Sequence, residues 1–388
     1  MYEKFEHYKT RNLKFTDIYK LVEPIRKLER RDLFGDHYFI KSTLKEYAGL
    51  PVDYEIKAFV EHAAQLSNFT ELGFQVHPSL PSIVFSSFRV SVIEGVPGNH
   101  GAYAVGPIIA YAKSALPNDK LNVEKERLGK NLLVFPAHSV LGMKQLYDID
   151  AFCRKIREIA LDYDSVRVCL YWKDVLLGTA EEYKKYGFEV VTAGHYYDPM
   201  FMPRLKSIIQ TSTMTMSNDL GTHVGYSIFL KKPHLLLKSE LNVGKIRGDD
   251  KGLSERHIYA YKTVKKKIKN SDINLISRLL SKNQEFITED QYNLMNKYWG
   301  YDQIKTPKQL RKLLLEIEGE YQLNNTNSQD NQVRKIRNQL INLQLQNQLK
   351  NQLTAEKKFA VKLQTIRGYS GYKTKNLAER FKKRFLGI

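Results

Sequence analysis

The sequence predicts an α/β chain of two domains, each built on a parallel sheet and facing the other across a cleft, with helical extensions at both ends. Three observations carry this. Strand and helix patterns alternate from Asn131 to Leu237, and such alternation builds a parallel sheet with right-handed crossovers. A shorter block of the same kind begins at Tyr54. After Leu237 strand patterns stop and helical ones take over.

Residues 1–53 read as a helical N-terminal extension. Tyr54 to Val60 reads as a strand running into Glu61-His62, and Ser82-Ile83-Val84-Phe85 as another. The stretch Gly95-Val96-Pro97-Gly98-Asn99-His100-Gly101 holds residues that permit unusual backbone angles, and Tyr103 to Ala112 follows. Residues 54–128 thus make a small first α/β domain. The alternately charged Lys120 to Lys130 reads as its link to a larger domain at 129–250.

In that larger domain, strands are expected at Leu132–Phe135, Ser165–Trp172, Phe188–Gly194, Thr213–Met216 and Leu235–Leu237. Ile149 to Leu161 carries apolar residues at 149, 152, 156 and 160, one face of a helix. Residues 251–323 read as helical, and Thr306-Pro307-Lys308-Gln309 is a capping-box start with proline at the first helical position. Residues 324–388 read as a polar linker, Asn324 to Gln332, followed by glutamine-rich and basic amphipathic helices. Val333, Ile336, Leu340 and Leu343 recur at helical spacing, which suits self-association through residues 333–353.

The net charge is +19, from 61 basic and 42 acidic residues. Such a balance favours a polyanionic partner: nucleic acid, an anionic membrane face or a phosphate-bearing substrate. Residues 356–388 hold ten Lys or Arg and two acids. There Leu377, Phe381 and Phe385 share one helical face among cations, the pattern of a helix lying in an anionic membrane surface. No run of 18 apolar residues exists, so no transmembrane helix is expected. Cys153 and Cys169 lack metal-ligand spacing and suit structural thiols in a reducing cytoplasm. The expected location is cytoplasmic, peripheral at the inner membrane face.

Ligands of parallel sheets bind beyond the carboxyl ends of the strands. His138, Ser139, His195, Ser217, Asn218 and Gly221 fall at those ends, with Thr222 and His223 just inside the next helix. A glycine opening a helix lets backbone approach a diphosphate, and the helix N-terminus offers N–H donors. Ser217, Asn218 and Thr222 add neutral hydrogen bonds, and Arg204 and Lys206 add charge. On the first domain, Glu61-His62 at a strand end supplies a candidate base, with His100 as the other candidate. No Asp-x-Asp pair stands at the end of an expected strand, so neither metal nor cofactor is expected.

Ser217-Asn218-Asp219-Leu220-Gly221-Thr222-His223-Val224-Gly225-Tyr226, followed by Leu230-Lys231-Lys232-Pro233, resembles the last nucleotide-binding segment of GT-B-fold glycosyltransferases. Tyr103 to Tyr111 and Tyr298-Trp299-Gly300-Tyr301 resemble segments of bacterial capsular and lipopolysaccharide glycosyltransferases. The resemblance implies two Rossmann-like domains in a GT-B-like arrangement, a nucleotide-sugar donor, and a surface-polysaccharide or lipid-linked glycan acceptor. Two alternatives remain: transfer of another group, pyruvyl or glycerol-phosphate, onto a polysaccharide, and nucleic-acid binding by the basic ends. Against the last, no nucleic-acid-binding module matches.

Overall fold

Leu132 to Phe135 makes the central strand of a five-stranded parallel sheet in the computed structural model of the protein, which describes residues 10–23, 37–66, 80–139, 143–245 and 271–326. The chain divides into two compact units, Met1–Tyr321 and Gln322–Ile388, and the account below concerns the first. The regions read as a glutamine-rich helix and a basic tail lie outside the described residues. Among the described residues, no helix is long and apolar enough to cross a membrane.

The strands are β1 Phe59–Val60, β2 Ser82–Val84, β3 Ala102–Ala104, β4 Asn131–Phe135, β5 Met143–Leu146, β6 Ser165–Cys169, β7 Glu189–Val191, β8 Met214–Ser217, β9 His234–Leu236 and β10 Asn242–Lys245. The helices used below are α1 Ile18–Leu21, α2 Ile40–Tyr47, α3 Ser87–Glu94, α4 Asn118–Leu128, α5 Ile149–Ile159, α6 Trp172–Leu176, α7 Thr179–Lys184, α8 Phe201–Gln210, α9 Thr222–Phe229, α10 Ser271–Leu279, α11 Glu289–Trp299 and α12 Pro307–Thr326.

The large sheet runs β7-β6-β4-β8-β9, every pair parallel. By order in the chain this is 3-2-1-4-5, the doubly wound Rossmann half. Its strands are apolar throughout because both faces are covered. Leu132 and Val134 join Phe152, Cys153 and Ile156 of α5 on one face. Leu133 and Phe135 join Ile208 of α8 and Tyr226 of α9 on the other. Successive residues of one strand thus feed two cores, as a side-chain period of two requires.

The smaller sheet is β1-β2-β3, also parallel. The expected strand at Tyr54 to Val60 shrinks to its last two residues, since Tyr54 N–H turns back to Pro51 O and its hydroxyl donates to Leu314 O at 2.9 Å. The segment read as a link, Lys120 to Lys130, is mostly helix α4: its alternating charges face water, while Leu121 and Leu128 are buried. The N-terminal stretch is no separate extension. Ile18 and Val22 pack with the large sheet, whereas Ile40 and Leu44 of α2 share a core with Ile83 and Phe85.

The C-terminal helices pack against this small sheet. Trp299, Tyr301, Leu310 and Leu314 lie in the same core as Ile83 and Phe85. Gly225 permits the approach of α11 to α9, because a Cβ there would fall inside the Trp299 ring. Gly300, at φ +64°, turns the chain where a Cβ would strike Phe85 O. The capping box at Thr306 forms as expected: Gln309 N–H donates to Thr306 Oγ1 at 3.3 Å, and Thr306 N–H to Gln309 Oε1 at 2.9 Å. Helix α12 runs on to Thr326, so the first residues read as linker are helical.

Candidate functional site

The doubly wound order determines where a crevice opens. Helix α5, after β4, lies on one face of the sheet, and α9, after β8, on the other. The connections from these two adjacent strands therefore diverge, and a ligand crevice forms between them at the carboxyl ends. One side chain spans the gap. Asn218 is fully buried; its Oδ1 accepts from Ala137 N–H at 2.6 Å and its Nδ2 donates to Ser239 Oγ at 3.3 Å. Ser217 is also buried, with its hydroxyl donating to Asp219 O at 2.8 Å and lying 2.9 Å from His234 Nε2. The His234 Nδ1 lies 2.8 Å from Thr215 Oγ1, so both ring nitrogens are hydrogen-bonded. Burial pushes His234 down to about 3, so this imidazole is a neutral brace. Ser217 and Asn218 thus shape the crevice from inside.

Helix α9 starts at the crevice without a cap. Gly221 is its N-cap in extended conformation and supplies no side chain to the first turn, where Val224 N–H turns back to Gly221 O at 3.1 Å and the N–H groups of Thr222 and His223 lack intrahelical acceptors. Thr222 follows, half-buried. His223 folds back over this end, its ring stacked on Phe135 at 4.8 Å and 23°. A Cβ on Gly221 would come within 2.8 Å of that ring, which is why glycine stands there. His223 Nε2 is buried without a hydrogen-bond partner. Its pKa lies well below the ordinary 6.5, first from burial, then from His234 and His138.

His138 is exposed, its ring 4.5 Å from Tyr171. Ser139 beside it is buried: its N–H donates to the Asp174 carboxylate at 3.0 Å, and its hydroxyl accepts from Gln145 N–H at 3.0 Å. Burial raises the Asp174 pKa against the pull of that Ser139 bond. Asp174 was not foreseen from the sequence.

At the end of β7, His195 is buried against Trp172 at 4.4 Å and is pushed down to about 4 by burial, with Asp198 opposing. Arg204 points inward and is 1% exposed. Its guanidinium donates to Asp198 Oδ2 at 2.8 Å, to Ala193 O at 2.8 Å and to Thr10 O at 3.4 Å. These bonds brace the strand end and turn the charge away from any phosphate. Lys206 Nζ is occupied with Ala112 O at 2.6 Å.

On the small sheet, Glu61 and His62 follow β1 and leave it in opposite directions, as neighbours on an extended chain do. Glu61 is 3% exposed, and its Oε1 accepts from Arg89 Nε at 2.6 Å. Burial pushes its carboxyl up to about 7, and Arg89 pulls the other way. A value raised above the ordinary 4.5 stabilises the fold fully below that pH, and this contribution fades as pH rises through about 7. His62 points outward, with its ring 5.6 Å from that of His37 and 6.1 Å from that of Tyr38. It is open to solvent but closely surrounded, and the loss of solvation lowers its pKa. His100 precedes β3 and so sits at the amino edge of the small sheet, the end opposite Glu61 and His62.

Two further orphans belong to this region. Among the described residues, Glu61 Oε2 and the Tyr226 hydroxyl are buried without hydrogen-bond partners. Tyr226 stacks on Phe85, the residue after β2, at 6.3 Å. Buried polar groups are nearly always paired; other orphans, Ser82 Oγ and Arg167 Nη1 among them, lie elsewhere, but those of His223 and Glu61 stand at the carboxyl ends, where a ligand would supply the partners. What sequence reasoning missed is the ring of aromatics around the crevice, although Tyr171-Trp172 and Tyr196-Tyr197 stand at strand ends in plain view.

No protein-family model matches the chain, and no curated protein sequence does. Solved structures resemble it distantly. S. aureus MnaA with UDP is 10% identical, covers 72% of this chain and 71% of its own, and has a TM-score of 0.35. UDP-GlcNAc 2-epimerase from Neisseria meningitidis, bound to UDP-GlcNAc, is 11% identical over 78% of this chain and 87% of its own, at 0.28. TarM is 12% identical over 80% of this chain and 57% of its own, at 0.25. Likeness this remote says nothing about substrate.

Proposed function

We propose that the chain is a glycosyltransferase taking its sugar from a nucleotide-activated donor. The observation that carries this is the uncapped N-terminus of α9 at the switch point of the large sheet, opposite His62 at the carboxyl end of the small one. An open helix start favours a diphosphate through N–H donors and the helix dipole. Gly221, Thr222 and His223 hold the diphosphate, with His138 beside it. As the bond from the sugar's anomeric carbon to the phosphate oxygen breaks, these groups stabilise the charge on the departing nucleoside diphosphate. The acceptor hydroxyl oxygen bonds to the anomeric carbon, and its proton passes to the neutral imidazole of His62. Glu61, held by Arg89, anchors the strand end that presents His62.

Thermal shift with UDP, GDP, CMP and CDP tests this reading. One of them at 100 times its dissociation constant will stabilise the protein by about 2.7 kcal/mol. Gly221→Val, which displaces the His223 ring over the helix start, will remove that rise and leave the protein folded. If no nucleotide raises the melting temperature, the donor assignment fails.

For the acceptor we propose a lipid-linked or surface-polysaccharide glycan, met at the inner face of the membrane. The basic residues of 356–388 support this, at roughly 1 kcal/mol for each cation near an anionic surface. Deleting residues 356–388 will abolish sedimentation with anionic liposomes at physiological salt and spare nucleotide binding. Sedimentation that persists in the truncated chain would remove the tail from the reading.

A further inference from the structure

The other half of the crevice, over β4, β6 and β7, is walled by aromatic rings from three separate segments. Tyr171 and Trp172 leave the end of β6, Tyr196 and Tyr197 follow β7, and Tyr38 comes from the stretch before α2. Their rings touch in series. Trp172 stacks on Tyr196 at 5.1 Å and 20°, and Tyr196 meets Tyr197 at 3.9 Å. The hydroxyls of Tyr38 and Tyr171 lie 3.1 Å apart, and the exposed ring of His138 closes the row against Tyr171. All five are only half-buried. Half-open aromatic surface that is contiguous at the carboxyl ends of a parallel sheet marks a binding site.

The backbone adds a second, independent sign. Tyr38 and Phe39 have φ of +61° and +51°, a left-handed pair without glycine. Such strain persists only where the surroundings impose it, and it gathers at ligand sites. Tyr38 N–H donates to Tyr196 O at 2.7 Å, so the strained turn is tied to the wall it completes.

The wall is half-open aromatic surface with hydroxyls and imidazole nitrogens set into it. A hexose ring has the matching surfaces: an apolar C–H face and an edge of hydroxyls that donate and accept. A simple lipid chain would make no use of the polar groups set among the rings. A phosphate would gain nothing from the ring faces. We infer that this wall is a saccharide subsite, where a sugar ring of the acceptor lies on the aromatic faces beside His62. The word acceptor rests on the transferase reading; the subsite itself does not.

The chain has two tryptophans, and Trp299 is 1% exposed, so ligand-induced fluorescence changes report on Trp172. The probes are methyl glucoside, methyl galactoside and methyl N-acetylglucosaminide at millimolar concentration. At least one will show saturation transfer to its ring C–H protons and perturb the Trp172 emission. Tyr171→Leu will weaken that binding at least about tenfold, the worth of a stacking contact. Tyr171→Phe will keep most of it. Neither variant will alter the nucleotide-induced thermal shift, which also shows that each is folded. Absence of transfer to all three glycosides in a protein that still responds to nucleotide overturns the subsite and leaves the donor reading standing. Loss of the nucleotide response in Tyr171→Leu would make the wall a nucleobase cradle, which also overturns it. Glycoside binding without any nucleotide response would keep the subsite and sink the donor reading.

Discussion

His62→Gln will lower turnover by about 10²-fold or more, with nucleotide affinity unchanged. Glutamine keeps a polar side chain at the strand end but cannot take a proton. The wild-type rate will rise with pH along a limb centred below 6.5, because loss of solvation lowers the His62 pKa. That limb will vanish in the variant. Single-turnover rates over pH, with nucleotide affinity measured separately, check this. A variant that keeps both its rate and the acid limb would transfer the proton to another group. His100 is a poor substitute, since it lies at the far edge of the small sheet.

Arg204→Met will destabilise the protein by about 3–5 kcal/mol, because it leaves Asp198 charged and unpaired in a dry interior. Asp198 is 0% exposed, and Arg204 Nη2 is its ion partner at 2.8 Å. The Ala193 carbonyl loses a donor as well. Denaturant titration will show a lower midpoint. The sequence reading set Arg204 on a phosphate. On that reading the variant would keep its stability and lose nucleotide affinity, so one pair of measurements separates the two roles.

That difference shows where sequence was informative. The five strands of the large sheet lie where their apolar runs end in polar residues, because both faces of a parallel strand are buried and the pattern is strong. The start of α12 was equally legible, since a capping box is a local signal. Strand β1 was overextended. Tyr54 has the propensity for a strand, but its hydroxyl is taken by Leu314, hundreds of residues away in the chain. For the site, the chain told which residues cluster at strand ends but not which way each side chain turns. Arg204 and Ser217 turn inward and are spent on the protein itself, while His62 and His138 turn out. The link at Lys120 to Lys130 was misread because a solvated helix face and a loop share the same polar composition.

The interlock at Gly300 bears on how the protein is made. Phe85 and Ile83, laid down early in synthesis, find their core partners Trp299, Tyr301 and Leu310 only when nearly the whole first unit has left the ribosome. The small sheet cannot complete its core as an autonomous N-terminal fragment. The strands of the doubly wound sheet are all made far sooner, between Asn131 and Leu236, and its face toward Phe152 and Ile156 can be covered at once. The late helices thus complete two cores at once, that of the small sheet and that of the Leu133 and Phe135 face of the large one.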